Sequence, residues 1–555
     1  MRCGIQFLGF LLVALMGSST LAQDLIASNT WYVTRTEWTE TDELNFGDFI
    51  SQVGESVERR ECDRVDTCMR GTGNPYRDSD PPSLNHYADC SDLPYHLRAY
   101  FAWKQGLPYS MESDITSRQR EGTDLRYTKF GNMVTGRTDI MAVVRGRTIR
   151  YPNAITSLNE IVAGEGWSAN YRMIGLEDGR LYTDFYPTKI ARNAIRPGTV
   201  IYDPNGHVAV IYKVTDDGRI FYIDSHPDNT LTSGMYTPKF ERSTPEQGAG
   251  FKNFRPLRLV GAKKDNKTGA YYGGKIEGVK NNQLPYFSTE QFYGTQPDPG
   301  GVWQKGKFLL NGRAFGYYDY VRIRMAAEGF RIDPIRDVRQ LVQDICTSMK
   351  DRVVSVDTAT KSGVQNKAHP ERLPLNIYGA DGEWESYATP ARDARLKVSY
   401  MDLLSESRQL IERFKAGDNT IVYPGRNLPK DMLTTYQSEA IACQISYRNS
   451  SGRPVTLNLE DLRLRLFNLS FDPYHCAELR WGASDPQELA SCRDNANKLA
   501  WYRQERWLRY QWERQYDARM DYSLGELTGP LPGAGIANPP DVDIVKYLSS
   551  VRGFD

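Results

Sequence analysis

The sequence predicts an α+β fold: an antiparallel sheet beside a helix with a cysteine at its mouth, followed by a mainly α-helical C-terminal region. Three observations predict it. Leu93, Leu97, Tyr100 and Phe101 have the i, i+4, i+7, i+8 spacing of a buried helix face. From Arg196 the texture changes to short β-branched and aromatic runs, two of them joined by a hairpin turn. Beyond the middle of the chain the pattern is helical, with apolar residues keeping one face over several turns.

In chain order, Arg2, the apolar run Ile5 to Met16 and the small residues Gly17 to Ala22 have the order of a secretory signal peptide, cut after Ala22. That apolar core is short for a bilayer span, and no later run is long enough to cross one. Residues 23–262 are expected to form the first domain. Within it a helix begins near residue 92, and Gly106 and Pro108 stop it. Val200 to Tyr202, Val208 to Val214 and Ile220 to Ile223 read as strands, with Asp216-Asp217-Gly218 as the hairpin turn. Phe254 to Val260 reads as a further strand.

Residues 263–303, rich in Gly, Asn, Lys and Pro, are expected to be a linker. Residues 304–555 form the expected helical domain. Asp333-Pro334 is an N-cap with proline in the first turn, and Ile335, Val338, Val342, Ile345 and Met349 follow on one face. Leu403, Leu404, Leu410, Ile411 and Phe414 mark a second helix. A third is expected from about Pro486 to Ser523, uninterrupted by Gly or an internal Pro, which at 1.5 Å per residue would reach roughly 55 Å.

Composition narrows the function. The 69 basic residues balance 69 acidic ones, which argues against a protein built to coat nucleic acid. The mean hydropathy of −0.56 argues against a polytopic membrane protein. Histidine is scarce, six in all, and there is no CxxC pair or HExxH motif, so no metal and no other cofactor is expected. Of eight cysteines, Cys3 leaves with the signal peptide. In an oxidising compartment the remaining odd number leaves a thiol over. Pairing Cys62 with Cys68, Cys346 with Cys443 and Cys476 with Cys492 is one choice among many, and it singles out Cys90.

Cys90 stands in Tyr87-Ala88-Asp89-Cys90-Ser91-Asp92, directly before the helix. A helix N-terminus stabilises a thiolate, which is the nucleophilic form. Asp89, Ser91 or Asp92 can cap that end. A catalytic cysteine also needs an imidazole to take its proton and return it to the leaving group. His207, in Gly206-His207-Val208-Ala209-Val210-Ile211-Tyr212, opens a strand. The turn at 216–218 brings Asp224 and His226, which share a face, back beside it. Either can orient His207, and Asp224 is favoured because a carboxylate also stabilises the imidazolium.

Asp89-Cys90-Ser91 before a helix, then Pro197-Gly198-Thr199-Val200-Ile201-Tyr202, then the His207 strand, resembles the NlpC-type and CHAP-type papain-like cysteine peptidases, mostly bacterial cell-wall hydrolases. The resemblance covers about residues 80–260. It implies a papain-like domain in an exported, periplasmic or secreted, cysteine hydrolase, with Cys90 as nucleophile, His207 as base and Asp224 as orienting group. It implies peptidoglycan peptides or another amide as substrate, met by Tyr87, Asp89, Ser91 and His226, with Tyr87 near the oxyanion. The sequence departs from the NlpC pattern where Asp92 stands in place of the usual glycine. The long separation of Cys90 from His207 leaves room for an insertion. An inert, papain-like wall-binding or scaffold protein is the alternative.

The predicted helix over 486–523 interleaves Trp501, Trp507 and Trp512 with arginines. It offers either a surface for glycan, an anionic wall polymer or a helix of a protein partner, or an aromatic stripe packed on its own domain. No nucleic-acid partner is expected.

Overall fold

The computed structural model describes residues 29–120, 122–175, 181–248, 250–327, 329–376, 382–512, 519–529 and 536–554. The expected signal peptide lies outside them. The fold is α+β with antiparallel sheets. No helix among the described residues is long and apolar enough to cross a membrane.

Two helices open the first region: α1 (Glu40–Glu58) and α2 (Asp92–Gln105). Thr39 and Asp42 cap α1 reciprocally. Gly106 ends α2 at φ +64°, a left-handed position that favours glycine. The sequence predicted one buried face for α2, but nearly every residue from Asp92 to Lys104 is buried. It is a central helix, so its charged residues need internal partners. Arg98 pairs with Glu43 and lies 3.3 Å over the Trp38 ring, and Lys104 reaches Asp80 at 2.7 Å.

The main sheet has six antiparallel strands: β1 (Phe185–Pro187), β2 (Val200–Asp203), β3 (His207–Val214), β4 (Ile220–Ser225), β5 (Leu231–Met235) and β6 (Phe251–Phe254), in spatial order β1-β6-β2-β3-β4-β5. Its strands are buried on both faces. One face packs on α1 and α2 through Val208, Val210 and Tyr212. The other packs on Phe308, Tyr317, Tyr320 and Val321 through Ile201, Ala209 and Ile211. A hairpin of Tyr109–Ser117 with Asn132–Ile140 lies within the stretch expected to hold an insertion.

The expected linker 263–303 is not a bare tether. Lys275–Gly278 pairs with Leu257–Val260, and Lys263–Lys264 pairs with Tyr271–Tyr272, so its start folds back onto the first region.

The C-terminal region is mainly helical. Its principal helices are α3 (Pro334–Ser362), α4 (Pro390–Lys415) and α5 (Leu428–Ala442). Asp333 caps α3 with Pro334 in the first turn, as its sequence predicts. α3 packs beside the edge strand β5, where Asp344 accepts from the Met235 N–H at 2.7 Å and pairs with Lys239 at 2.8 Å. The edge that would otherwise present unpaired backbone is thereby covered.

The long helix expected over 486–523 is absent. Pro486–Leu489, Ala496–Gln504 and Arg506–Arg509 are separate short helices, and 513–518 lie outside the described residues. Asp485 and Asn495 each cap a new helix start, and the Cys476–Cys492 bridge ties down the turn between them. Trp501 and Leu508 are buried in the region's own core. That stretch therefore presents no continuous aromatic helix face to a partner.

Candidate active site

Three disulfides join Cys62 to Cys68, Cys346 to Cys443 and Cys476 to Cys492, and Cys90 is the one free cysteine among the described residues. The Asp89 carboxylate accepts from the N–H groups of Ser91 (2.8 Å) and Asp92 (3.0 Å), and its carbonyl accepts from Leu93 N–H. Asp89 therefore caps this end with its side chain, and Cys90 stands in the turn immediately before α2.

A three-residue turn joins β2 to β3. Gly206 takes φ +86° there, and a Cβ on it would sit 3.3 Å from the Tyr127 ring. Glycine thus makes the turn and admits Tyr127 beside it. The turn delivers His207 to the start of β3, opposite Asp203. The β3–β4 hairpin pairs Val210 with Ile223, which brings Asp224 alongside His207. His207 Nε2 and Asp224 Oδ2 lie 2.7 Å apart, both buried. The carboxylate can only accept, so Nε2 carries the proton and Nδ1 keeps its lone pair. Thr232 donates to the other Asp224 oxygen. His226 Nε2 lies 3.8 Å from Asp224 Oδ2 on the far side.

Cys90 and His207 line one cavity of about 320 Å³. The Val208 backbone, next to His207, lies close enough to the Cys90 sulfur to favour its thiolate. The cavity also meets Asp89, Ser91 and His226. Tyr87 is not in its wall. It is 41% exposed and donates to the Pro227 carbonyl at 2.9 Å, so its hydroxyl does not face an oxyanion position. Residues the sequence did not mark complete the wall: Arg126, Tyr127 and Trp167 from the first region, and Trp384, Arg392 and Arg395 from the helical one. Arg392 is held by Asp228 at 3.3 Å. These side chains come from distant segments, and no local pattern announces them.

Burial pushes the Cys90 thiol up, the Asp89 charge adds to this, and the Val208 N–H opposes it. The helix-terminus effect expected to favour the thiolate is thus outweighed, first by burial and then by the charge of Asp89, which also takes up the terminal N–H groups. Burial, with Arg395, pushes His207 down against the pull of Asp224. Asp224 is held well below the carboxylate range: burial opposes ionisation, but the two imidazoles overcome it. Asp92, buried beside Asp89, is pushed up to about 9 by burial and that neighbouring charge. The resting pair is therefore a neutral thiol and a neutral imidazole.

Comparison with family models, with curated proteins and with solved structures returns no match to this chain.

Proposed function

We propose that the chain is an exported cysteine hydrolase with a papain-like first domain that cleaves an amide bond, with peptidoglycan peptides as the substrate class. The observation that carries this reading is the 2.7 Å His207–Asp224 hydrogen bond on neighbouring strands, lining the same cavity as a free cysteine just before a helix. Export is supported by the N-terminal signal pattern and the three disulfides. An anionic group on the peptide is supported by Arg395 in the cavity wall, since Arg126 is paired with Asp124 and Arg392 with Asp228.

In this mechanism the Cys90 sulfur attacks the carbonyl carbon as its proton passes to His207 Nδ1. Because the thiol is held protonated, the proton moves during the attack rather than before it. Asp224 stabilises the imidazolium and fixes its orientation. His207 then protonates the departing amine, leaving a thioester on Cys90. Water attacks the thioester, gives its proton to His207, and the acid leaves as Cys90 regains its hydrogen.

The test is the rate of Cys90 alkylation in the full chain across pH, followed by digestion of muropeptides with Cys90→Ala as control. A rate at least tenfold above that of His207→Ala, with Cys90-dependent cleavage, supports the proposal. Equal rates in the two proteins would sink it. A second reading, an inert wall-binding protein, is favoured by one observation: Asp89 opposes thiolate formation. It expects muropeptide binding unchanged in Cys90→Ala and no cleavage.

A further inference from the structure

The helical region holds a second cluster of histidines and acids, unrelated to the thiol. His369, Asp472, His475 and Glu505 come from separate segments and meet with their side chains fully sealed from solvent. His369 Nε2 lies 2.9 Å from Asp472 Oδ2 and 4.0 Å from Glu505 Oε1. His475 Nε2 lies 3.2 Å from Asp472 Oδ2 and 3.5 Å from Glu505 Oε2. We propose that these four residues bind one divalent cation of the zinc class, and that it staples the C-terminal region together.

Geometry supports it first. Four donors around zinc at bonds of 2.0–2.2 Å stand about 3.3–3.5 Å from one another. Four of the six donor pairs stand 2.9 to 4.0 Å apart, with the two histidines facing different Glu505 oxygens. Single ligand atoms of His369, Asp472 and Glu505 already lie within 4.8 Å of one another, and His475 joins them with a side-chain shift.

Orientation supports it next. A ligating histidine usually donates its other ring N–H to a carboxylate or carbonyl, which fixes the tautomer and leaves the ligating nitrogen bare. Both histidines do so. His369 Nδ1 meets the Pro370 carbonyl at 2.6 Å, and His475 Nδ1 meets Asp494 at 2.9 Å. Both Nε2 atoms then lie within 4.0 Å of the Asp472 and Glu505 carboxylates.

The independent observation is unspent polar capacity. His475 Nε2 and both Glu505 carboxylate oxygens are buried and make no hydrogen bond among the described residues. Burying a carboxylate without a partner is costly. The nearest other cation, Arg509, stands 4.0 Å from Glu505 and donates to the Tyr502 carbonyl. A divalent ion between the carboxylates would satisfy these atoms and balance two charges.

Two imidazoles with two carboxylates suit zinc-class ions better than calcium or magnesium, which favour all-oxygen shells. Thiolate ligation is not on offer, since the adjacent Cys476 and Cys492 are bonded to each other. A sealed shell of four protein donors leaves no position for a reacting water, which marks a structural site. Trp384 packs against His369 with ring centroids 6.3 Å apart, and it also lines the Cys90 cavity. The cation would thus brace one wall of the cleft.

The test uses the full chain without a histidine tag. After chelation, the wild type is titrated with zinc, its bound zinc is counted by elemental mass spectrometry, and its melting is followed. The expected result is about one zinc per chain, a melting point raised by several degrees on zinc addition, and at least tenfold weaker uptake in His475→Ala and Glu505→Gln. No uptake at micromolar zinc overturns the proposal. So does uptake that both variants retain. If the variants do not fold, zinc-edge X-ray absorption of the loaded wild type decides: a shell with two imidazoles supports the site and one without overturns it. Cys90 alkylation is scored separately, so failure here leaves the hydrolase reading to its own test.

Discussion

The protein uses one small arrangement twice, an aspartate between two imidazoles, and surrounds it differently each time. In the first region Asp224 Oδ2 lies 2.7 Å from His207 and 3.8 Å from His226. In the helical region Asp472 Oδ2 lies 2.9 Å from His369 and 3.2 Å from His475. The residue types are the same, so they do not decide the chemistry. The surroundings do. His207 lines a cavity that also holds a free thiol. The second cluster adds a carboxylate in place of the thiol, anchors the far side of both rings and shuts out water. An open edge with a nucleophile suits proton transfer, whereas a sealed convergence of four donors suits a cation.

The sharpest way to break this contrast is to make the same substitution in both places. Asp224→Asn exchanges an acceptor for a group that also donates, and it disturbs the His207 tautomer. Turnover that depends on Cys90 should fall about 10²- to 10⁴-fold, with folding retained. Asp472→Asn should leave Cys90 alkylation within about twofold of wild type. It should instead lower the melting point markedly, because breaking a buried charged network costs about 3–5 kcal/mol. Alkylation rates and thermal melts on both variants check this. If the two variants behave alike, the division of roles fails.

A smaller effect isolates the acid beside the thiol. Asn caps a helix as well as Asp does, so Asp89→Asn keeps the cap on α2 and removes the charge that raises Cys90. Alkylation at pH 7 should become up to about tenfold faster, one pKa unit's worth. Arg395→Ala probes the opposite wall. It should raise KM for an anionic peptide about tenfold while kcat holds. It should also move the acidic limb of the pH profile upward, since Arg395 is one of the charges that depress His207.

Much of the first centre was legible in the sequence because its signals are local. The turn before Arg219 sets the hairpin, and the period of two then puts Asp224 and His226 on the face near His207. Pairing Cys62 with Cys68 and Cys476 with Cys492 by proximity, and Cys346 with Cys443 as the remainder, left Cys90 alone. The second centre was not legible. His369 and Glu505 are far apart in the chain, and the scarcity of histidine argued against a metal, although four donors with only two imidazoles suffice. The broken C-terminal helix had a readable cue that was outweighed. Cys492-Arg493-Asp494-Asn495 holds a bridge and a capping residue, and these stop a helix without glycine or proline. Arg392 and Arg395 reach the cavity only because α4 packs beside the sheet, which no local pattern encodes.

The two remaining histidines give the smallest effect and the cleanest control. His86 Nδ1 and His96 Nε2 lie 3.0 Å apart, and His86 Nε2 lies 3.4 Å from Asp80. Here the imidazoles bond each other, and Lys104 already pairs with Asp80, so no cation is called for. Burial and the neighbouring His86 push His96 down to about 3. Unfolded, that ring binds a proton near pH 6.5. Below pH 6.5 the unfolded chain therefore holds a proton that the folded chain refuses, and stability falls as pH drops from 6.5 toward 3. The slope from this one residue approaches 1.4 kcal/mol per pH unit. His96→Gln should be less stable at pH 7.5, having lost its bond to His86, yet the gap from wild type should narrow at pH 4.5. Urea midpoints at the two pH values measure it. A gap that widens toward acid would mean that His96 is charged in the fold.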